Sequence, residues 1–147
     1  MKRKIYFVLG ILFVLIVILL IVLIKPLQKK EVCVKEKCFE VEIADTQKLM
    51  SKGLSERDFL DDDKGMLFIF NSLSSSNFWM KDMKFSLDII GINDNNEIIK
   101  IVKDAKPCEE RCLLFYFGNQ TKYVLEVNAG LSEKYGFEEG DFIILKV

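Results

Sequence analysis

Three side chains in the middle of the chain have the chemistry to hold a polar ligand: Trp79, Lys81 and Asp88. In a strand at this position Trp79 and Lys81 face the same side, so an indole ring and an ammonium group stand together. An aromatic platform beside a cation and a carboxylate suits a sugar or a carboxylate compound. The alternative is structural: Trp79 lies in the core, and Lys81 pairs with Asp82 or Asp88.

A second group of candidates lies further along the chain, around Glu126 and Asn128. Glu126 alternates with apolar neighbours in a predicted strand, so its carboxyl group should face solvent or a cleft. Asn128 stands where this strand gives way to a short helix, and its side chain suits the N-cap of that helix, whose N-terminus could hold an anion. With Arg57 nearby, the residues predicted to bind a ligand are Trp79, Lys81, Asp88, Glu126, Asn128 and Arg57.

The sequence contains no histidine. This excludes Ser-His-Asp and Cys-His nucleophile activation and the zinc sites that depend on histidine. A catalyst would have to use other groups, and Asp88 and Glu126 as acid and base, with Lys81 stabilising charge, would make the chain a hydrolase or a lyase. No cofactor and no metal are predicted, because the acidic run at 61–63 lacks the spacing of a calcium loop.

Four cysteines predict two local disulfides, Cys33 with Cys38 and Cys108 with Cys112. The first pair flanks a short turn and would form direct cross-strand neighbours, and the second brackets a short loop. An even number of cysteines in a small domain favours an oxidising compartment. A zinc site using all four is the alternative, although their spacing is looser than that of a zinc ribbon, and a redox-active pair lacks the C-x-x-C motif.

The elements that must position these residues follow an apolar N-terminal segment. Residues 5–24 are uncharged and, apart from Gly10, aliphatic or aromatic. A helix of this length spans about 30 Å, the thickness of a bilayer core. We predict a transmembrane helix that is an uncleaved signal anchor, because no small-residue cleavage site follows it. A cleaved signal peptide and a buried core helix are the alternatives.

The predicted order is a cytoplasmic tail (1–4), a transmembrane anchor (5–24), a linker (25–31) and an extracytoplasmic soluble domain (32–147). A very short tail and the cysteines favour a single-pass protein of the cell membrane with its N-terminus inside and its domain outside. Residues 1–30 hold six basic residues and no acidic one, which leaves 15 basic and 22 acidic residues in the remainder. A net-negative domain argues against a nucleic-acid partner. The sequence indicates no particular protein partner.

The hydrophobic pattern of the soluble domain is mainly that of β-strands. An Asn/Asp run at 93–96 predicts a tight hairpin, whereas residues 71–77 are predicted to form a Ser-rich loop. The pattern indicates an α+β fold, mainly antiparallel β, with a barrel-like or sandwich body and two short helices. Extended segments are predicted at 32–34, 39–43, 66–70, 78–80, 87–92, 97–102, 121–127 and 141–147, and helices at 47–52 and 129–135.

Several sequence blocks within residues 38–147 resemble the family called domain of unknown function 192, or uncharacterised protein family 0127. The resemblance implies a bacterial or archaeal protein, often with an N-terminal signal or anchor, and implies no particular activity. Arg57 stands where the family commonly has Arg, and Asp82 stands where the family usually has Asn. The blocks are Gly65–Phe70, Phe78–Lys81, Leu87–Ile90, Ala105–Cys108, Tyr123–Gly130 and Gly140–Asp141.

Together these patterns favour a membrane-tethered, extracytoplasmic domain that binds a small polar or carbohydrate-like ligand. A histidine-free hydrolase or lyase that uses a carboxylate pair is the second hypothesis. A structural or accessory module of the cell envelope is the third.

Overall fold

The computed structural model describes Tyr6, residues 13–15, residues 29–74 and residues 77–147. Apart from Tyr6 and 13–15, the predicted tail, anchor and first part of the linker lie outside the described residues. In the part of the chain that is described, none of the helices has both the length and the apolar character needed to cross a bilayer.

The described body is mostly β, as the alternating pattern predicts. It contains two short helices, α1 (Gln47–Lys52) between the second and third strands and α2 (Leu131–Lys134) before the last. Its strands are β1 (Glu31–Val34), β2 (Lys37–Ala44), β3 (Lys64–Ser74), β4 (Asn77–Phe78), β5 (Leu87–Ile92), β6 (Ile98–Ala105), β7 (Phe115–Tyr116), β8 (Thr121–Asn128) and β9 (Ile143–Lys146).

Seven of these strands form one curled sheet in the order β6-β5-β8-β3-β2-β1-β9, and β4 pairs with β7. Within the sheet β2 and β3 run parallel, and the other neighbours are antiparallel. The two edge strands meet at one end, where the Ile98 N–H donates to the Asp141 carbonyl and the Ile143 N–H to the Asn96 carbonyl, both at 2.8 Å. The sheet is therefore a half-barrel with its edges joined at one end.

Side-chain alternation gives this sheet two buried faces. The first core contains Phe39, Leu67 and Phe137, and the second contains Phe68 and Phe78. Successive residues of a strand point to opposite faces, so each central strand contributes side chains to both cores. The second core is rich in aromatic rings packed edge to face, with ring centroids 5.0 Å apart for Phe68 and Phe78.

Two glycines are fixed by their surroundings. Gly53 ends α1 with a φ of +51°, a conformation that residues with a Cβ rarely adopt. Gly91 lies in β5, and a Cβ there would stand 2.4 Å from a ring carbon of Phe117. The strand and the aromatic ring approach so closely that only glycine fits.

The predicted helix at 47–52 is confirmed, and Thr46 is its N-cap, accepting a hydrogen bond from the Leu49 N–H at 3.3 Å. The Asn/Asp hairpin at 93–96 is also confirmed. The Ser-rich loop predicted at 71–77 is wrong, because β3 continues to Ser74, where it pairs with Thr121 of β8. The two-residue strand β7 was missed.

Disulfides join Cys33 to Cys38 across the β1–β2 hairpin and Cys108 to Cys112 within the loop before β7. Their Cα atoms lie 4.0 Å and 5.3 Å apart. These are the two local pairings that the spacing favours. Because the four sulfur atoms form two S–S bonds, no thiolate is left for the alternative zinc site.

Candidate functional site

A cleft of about 480 Å³ opens beside the second core, between α1 and the segment that contains β4. This volume falls in the range of sites for small molecules. The cleft is lined by Gln47, Met50, Ser51, Lys52, Gly53, Leu54 and Ser55 from α1 and the turn after it, Phe68 and Phe70 from β3, Asn77, Phe78, Trp79, Met80, Lys81, Asp82 and Met83 from β4 and the residues after it, and Glu126 from β8.

One wall of the cleft carries Trp79 and Lys81 side by side. Phe78 and Met80 are buried in the second core, which turns the two residues between and after them outward, as strand alternation predicts. The Trp79 indole is 56% exposed, so the alternative that places it in the core is wrong. Within the described ranges, Lys81 makes no ion pair with Asp82, Asp88 or any other carboxylate.

The disulfide loop that begins at Cys108 is hydrogen-bonded to the backbone of the segment that carries Trp79 and Lys81. The Cys108 N–H donates to the Met80 carbonyl at 3.1 Å, and the Asp82 N–H donates to the Cys108 carbonyl at 3.3 Å. Asp82 has a φ of +58°, a left-handed conformation that Asn and Asp tolerate better than most residues. Either residue therefore suits the bend that follows Lys81.

Glu126 lies at the inner end of the cleft. Its side chain is only 5% exposed, and its strand neighbours in register are Met66 of β3 and Ile89 of β5, neither of which carries a charge. Among the described residues its carboxyl group has no hydrogen-bond or ion-pair partner. Burial raises the pKa of Glu126 to about 8. A buried titratable group that lines a cleft in this way marks a candidate functional site.

Asp88 is also buried, but it does not reach the cleft. Its carboxylate accepts hydrogen bonds from the backbone N–H of Asp104 at 2.9 Å and of Ser132 at 2.8 Å. Asp88 is in register with Val127 and therefore points to the first core, whereas Glu126 points to the other face of the sheet. The two carboxyl groups cannot act on one substrate, so the predicted acid and base pair is wrong.

Asn128 and Arg57 also lie outside the cleft. The Asn128 amide donates to the Leu60 carbonyl at 2.6 Å and to a carboxylate oxygen of Asp62 at 2.9 Å. It does not cap α2, whose N-cap is Gly130, because β8 extends as far as Asn128. Arg57 forms a two-bond ion pair with Glu42 at 2.5 and 2.9 Å.

Of the predicted ligand residues, the structure thus brings together Trp79, Lys81 and Glu126, and it separates the other three from them. Sequence reasoning missed the contribution of α1, including the polar side chains of Gln47 and Ser51. In the structure this short helix has no buried residue, which leaves its polar groups available, but that exposure is a property of the fold and is not visible in the sequence. Nothing in the spacing shows which surface the helix covers.

Comparisons with known proteins identify a family and two solved structures with a similar fold. A family model named DUF192, described as an uncharacterized ACR, matches residues 30–145. A crystal structure of a protein of unknown function from Novosphingobium aromaticivorans is 30% identical, with a TM-score of 0.70, over 82% of this chain and 89% of that one. A putative transcription regulator from Sinorhizobium meliloti is 28% identical, with a TM-score of 0.71, over 80% of this chain and 93% of that one. A search of curated proteins found no match.

Proposed function

This chain belongs to the DUF192 family, and we propose that it binds a small polar or carbohydrate-like ligand in the cleft between α1 and Trp79. The observation that carries the proposal is the pairing of an exposed indole with a buried, unpartnered carboxyl group at the inner end of the same cleft. Single exposed aromatic side chains are common, but one that lines a concave site offers a face on which a ligand can stack.

The polar groups of the cleft are suited to hydroxyl groups. Gln47, Ser51 and Asn77 offer amide and hydroxyl hydrogen-bonding groups, and Lys81 offers an ammonium group. A sugar ring could stack its apolar face on Trp79 while these side chains bind its hydroxyls. The aromatic core behind them gives the cleft a rigid wall.

The domain is proposed to work outside the cell membrane, tethered by residues 5–24. The support is the uncharged apolar run at 5–24 and the two disulfides of the domain, which persist in oxidising compartments. Membrane fractionation followed by protease treatment of intact cells tests this arrangement. Recovery of the whole chain in the soluble fraction, or protection of the domain in intact cells, would contradict it.

A nucleic-acid function is not proposed, although the Sinorhizobium relative is described as a putative transcription regulator. The present chain has a net-negative domain after residue 30. Binding to phosphates requires clustered Lys and Arg side chains, and the domain has no basic run.

The single tryptophan makes the cleft directly observable, because all tryptophan emission comes from Trp79. Titrating the full chain in detergent with mono- and disaccharides, polyols and small carboxylates should change this emission and raise the melting temperature for at least one class. Trp79→Ala and Lys81→Ala should remove the melting shift, whereas the matched control Arg57→Ala, outside the cleft, should retain it. A panel without any response, or a melting shift that survives both cleft variants, would overturn the proposal.

A further inference from the structure

We propose that the ligand of this cleft carries an amino group, and that its ammonium form makes an ion pair with the carboxylate of Glu126. The inference rests on the proposed binding function and specifies the ligand class as an amine-bearing polar compound, such as an amino sugar or an amino alcohol.

Glu126 occupies a place where a carboxyl group is costly. Among the residues that the structure describes, no N–H, hydroxyl or cation binds its oxygens, and its flanking partners Met66 and Ile89 are apolar. A largely buried carboxyl group that borders the cleft is poorly solvated, which costs free energy that a leucine at this position would not. A cation brought by a ligand would supply the missing partner and would be bound strongly because the surroundings are desolvated.

Several apolar side chains that line the same cleft as Glu126 favour a cation over an anion. Phe68 and Phe78 bring aromatic rings to the cleft, and Met50 and Met80 bring thioether groups. The negative faces of aromatic rings attract ammonium groups, and thioether sulfur is polarisable. An anionic ligand group would meet these electron-rich surfaces and a second carboxyl group, and would gain nothing from either.

The charged side chains that face the cleft are Lys52 on α1 and Lys81 and Asp82 after β4. All three are exposed, and the Lys52 ammonium lies 4.0 Å from the Glu56 carboxylate, which offsets its charge. Among the residues that the structure describes, Glu126 is the one ionisable side chain that the sheet contributes to the lining. Because the cations are exposed and the carboxyl group is buried, the ligand should bind in one orientation. Its amino group points inward to Glu126, and its hydroxyl or carboxylate groups stay near Lys81.

Two matched pairs of probes test the inference, namely sorbitol against glucamine and glucose against glucosamine, since the members of each pair differ in one hydroxyl or amino group. The full chain is titrated with each compound, and Trp79 emission reports binding. The amine should bind at least tenfold more tightly than its hydroxyl counterpart. Glu126→Gln should remove this preference, whereas Glu126→Asp, which keeps the charge, should retain part of it.

The pH dependence gives a second readout. Because burial raises the pKa of Glu126 to about 8, binding an ammonium group must displace a proton below that pH. The affinity for glucamine should therefore rise by up to about tenfold per pH unit between pH 6 and pH 8, and Glu126→Gln should flatten the profile.

The outcomes separate the two proposals. If sorbitol and glucose bind as tightly as their amines, the amine inference is overturned and the binding function stands. If all four compounds leave the emission unchanged while other members of the ligand panel bind, the inference is again overturned alone. If nothing binds, both proposals fail.

Discussion

The sheet carries two buried carboxyl groups on neighbouring strands, and their surroundings differ in almost every respect. Asp88 on β5 faces the first core and accepts two backbone hydrogen bonds. Glu126 on β8 faces the second core, where it borders the cleft and has no partner among the described residues. Burial alone therefore does not fix the role of a carboxyl group. What separates the two is that backbone N–H groups satisfy Asp88, whereas no described residue bonds to Glu126, and this difference is the basis of the proposed ligand contact.

Removing Asp88 should have the largest effect on stability. Asp88→Ala leaves the N–H groups of Asp104 and Ser132 buried without an acceptor, and it should lower the free energy of unfolding by about 3–5 kcal/mol. Urea denaturation measures the loss. Asp88→Asn, which keeps one acceptor oxygen, should lose less, and equal losses for the two variants would show that these hydrogen bonds are not the cause.

Glu126 should have the opposite effect on stability, because ionisation of its buried carboxyl group lowers the free energy of unfolding as the pH rises. Its pKa is about 8 in the folded chain against an ordinary value of 4.5, so between these values the folded state holds a proton that the unfolded state has lost. Stability relative to Glu126→Gln is then highest below about pH 4.5 and falls by about 1.4 kcal/mol per pH unit until about pH 8. Denaturation curves should show a relative loss of about 3 kcal/mol from pH 5 to pH 7. Parallel profiles for the two proteins would contradict the assignment.

Gly91→Ala tests how rigid the second core is behind the cleft. The new methyl group would lie 2.4 Å from Phe117, and moving the ring should cost about 1–3 kcal/mol. Thermal unfolding provides the measurement. Gly118→Ala is the comparison variant: its Cβ position is open but its φ is +86°, so it measures the cost of backbone strain without a clash. A Gly91→Ala protein as stable as the wild type would mean that the wall of the cleft yields easily.

Arg57→Ala should have the smallest effect, because its ion pair with Glu42 lies near solvent. The pair lowers the pKa of Glu42 and raises that of Arg57, yet such pairs contribute at most about 1 kcal/mol. Unfolding at low and high salt should give a difference that shrinks as salt is added. A loss as large as that of Asp88→Ala would place Arg57 among the groups that hold the fold.

Much of the fold could be predicted from local sequence. Alternation gave most strands, Thr46 and Gly53 gave the limits of α1, and the Asn/Asp run gave the hairpin between β5 and β6. The end of β3 could not be predicted, because its Ser-rich residues have weak strand propensity and are held there by pairing with β8. The predicted membrane anchor lies outside the described residues and stays a prediction.

The candidate site could be predicted only in part. Strand alternation correctly placed Trp79 and Lys81 on one surface, because that surface is set within a few residues. The roles of Asp88 and Asn128 depend on which distant backbone groups come near them, Ser132 in one case and Leu60 in the other. Those contacts follow from strand order, and no spacing in the sequence reveals them.

The pairing of β1 with β9 has a consequence for how the chain folds during synthesis. Glu31 and Lys146 are register partners and are joined by an ion pair across 115 residues of sequence. A nascent chain cannot complete its sheet until β9 has left the ribosome. Until then the edge of β1 that pairs with β9 has no partner. Contacts of such long sequence separation slow folding, and the Cys33–Cys38 bridge can hold the β1–β2 hairpin together during that interval.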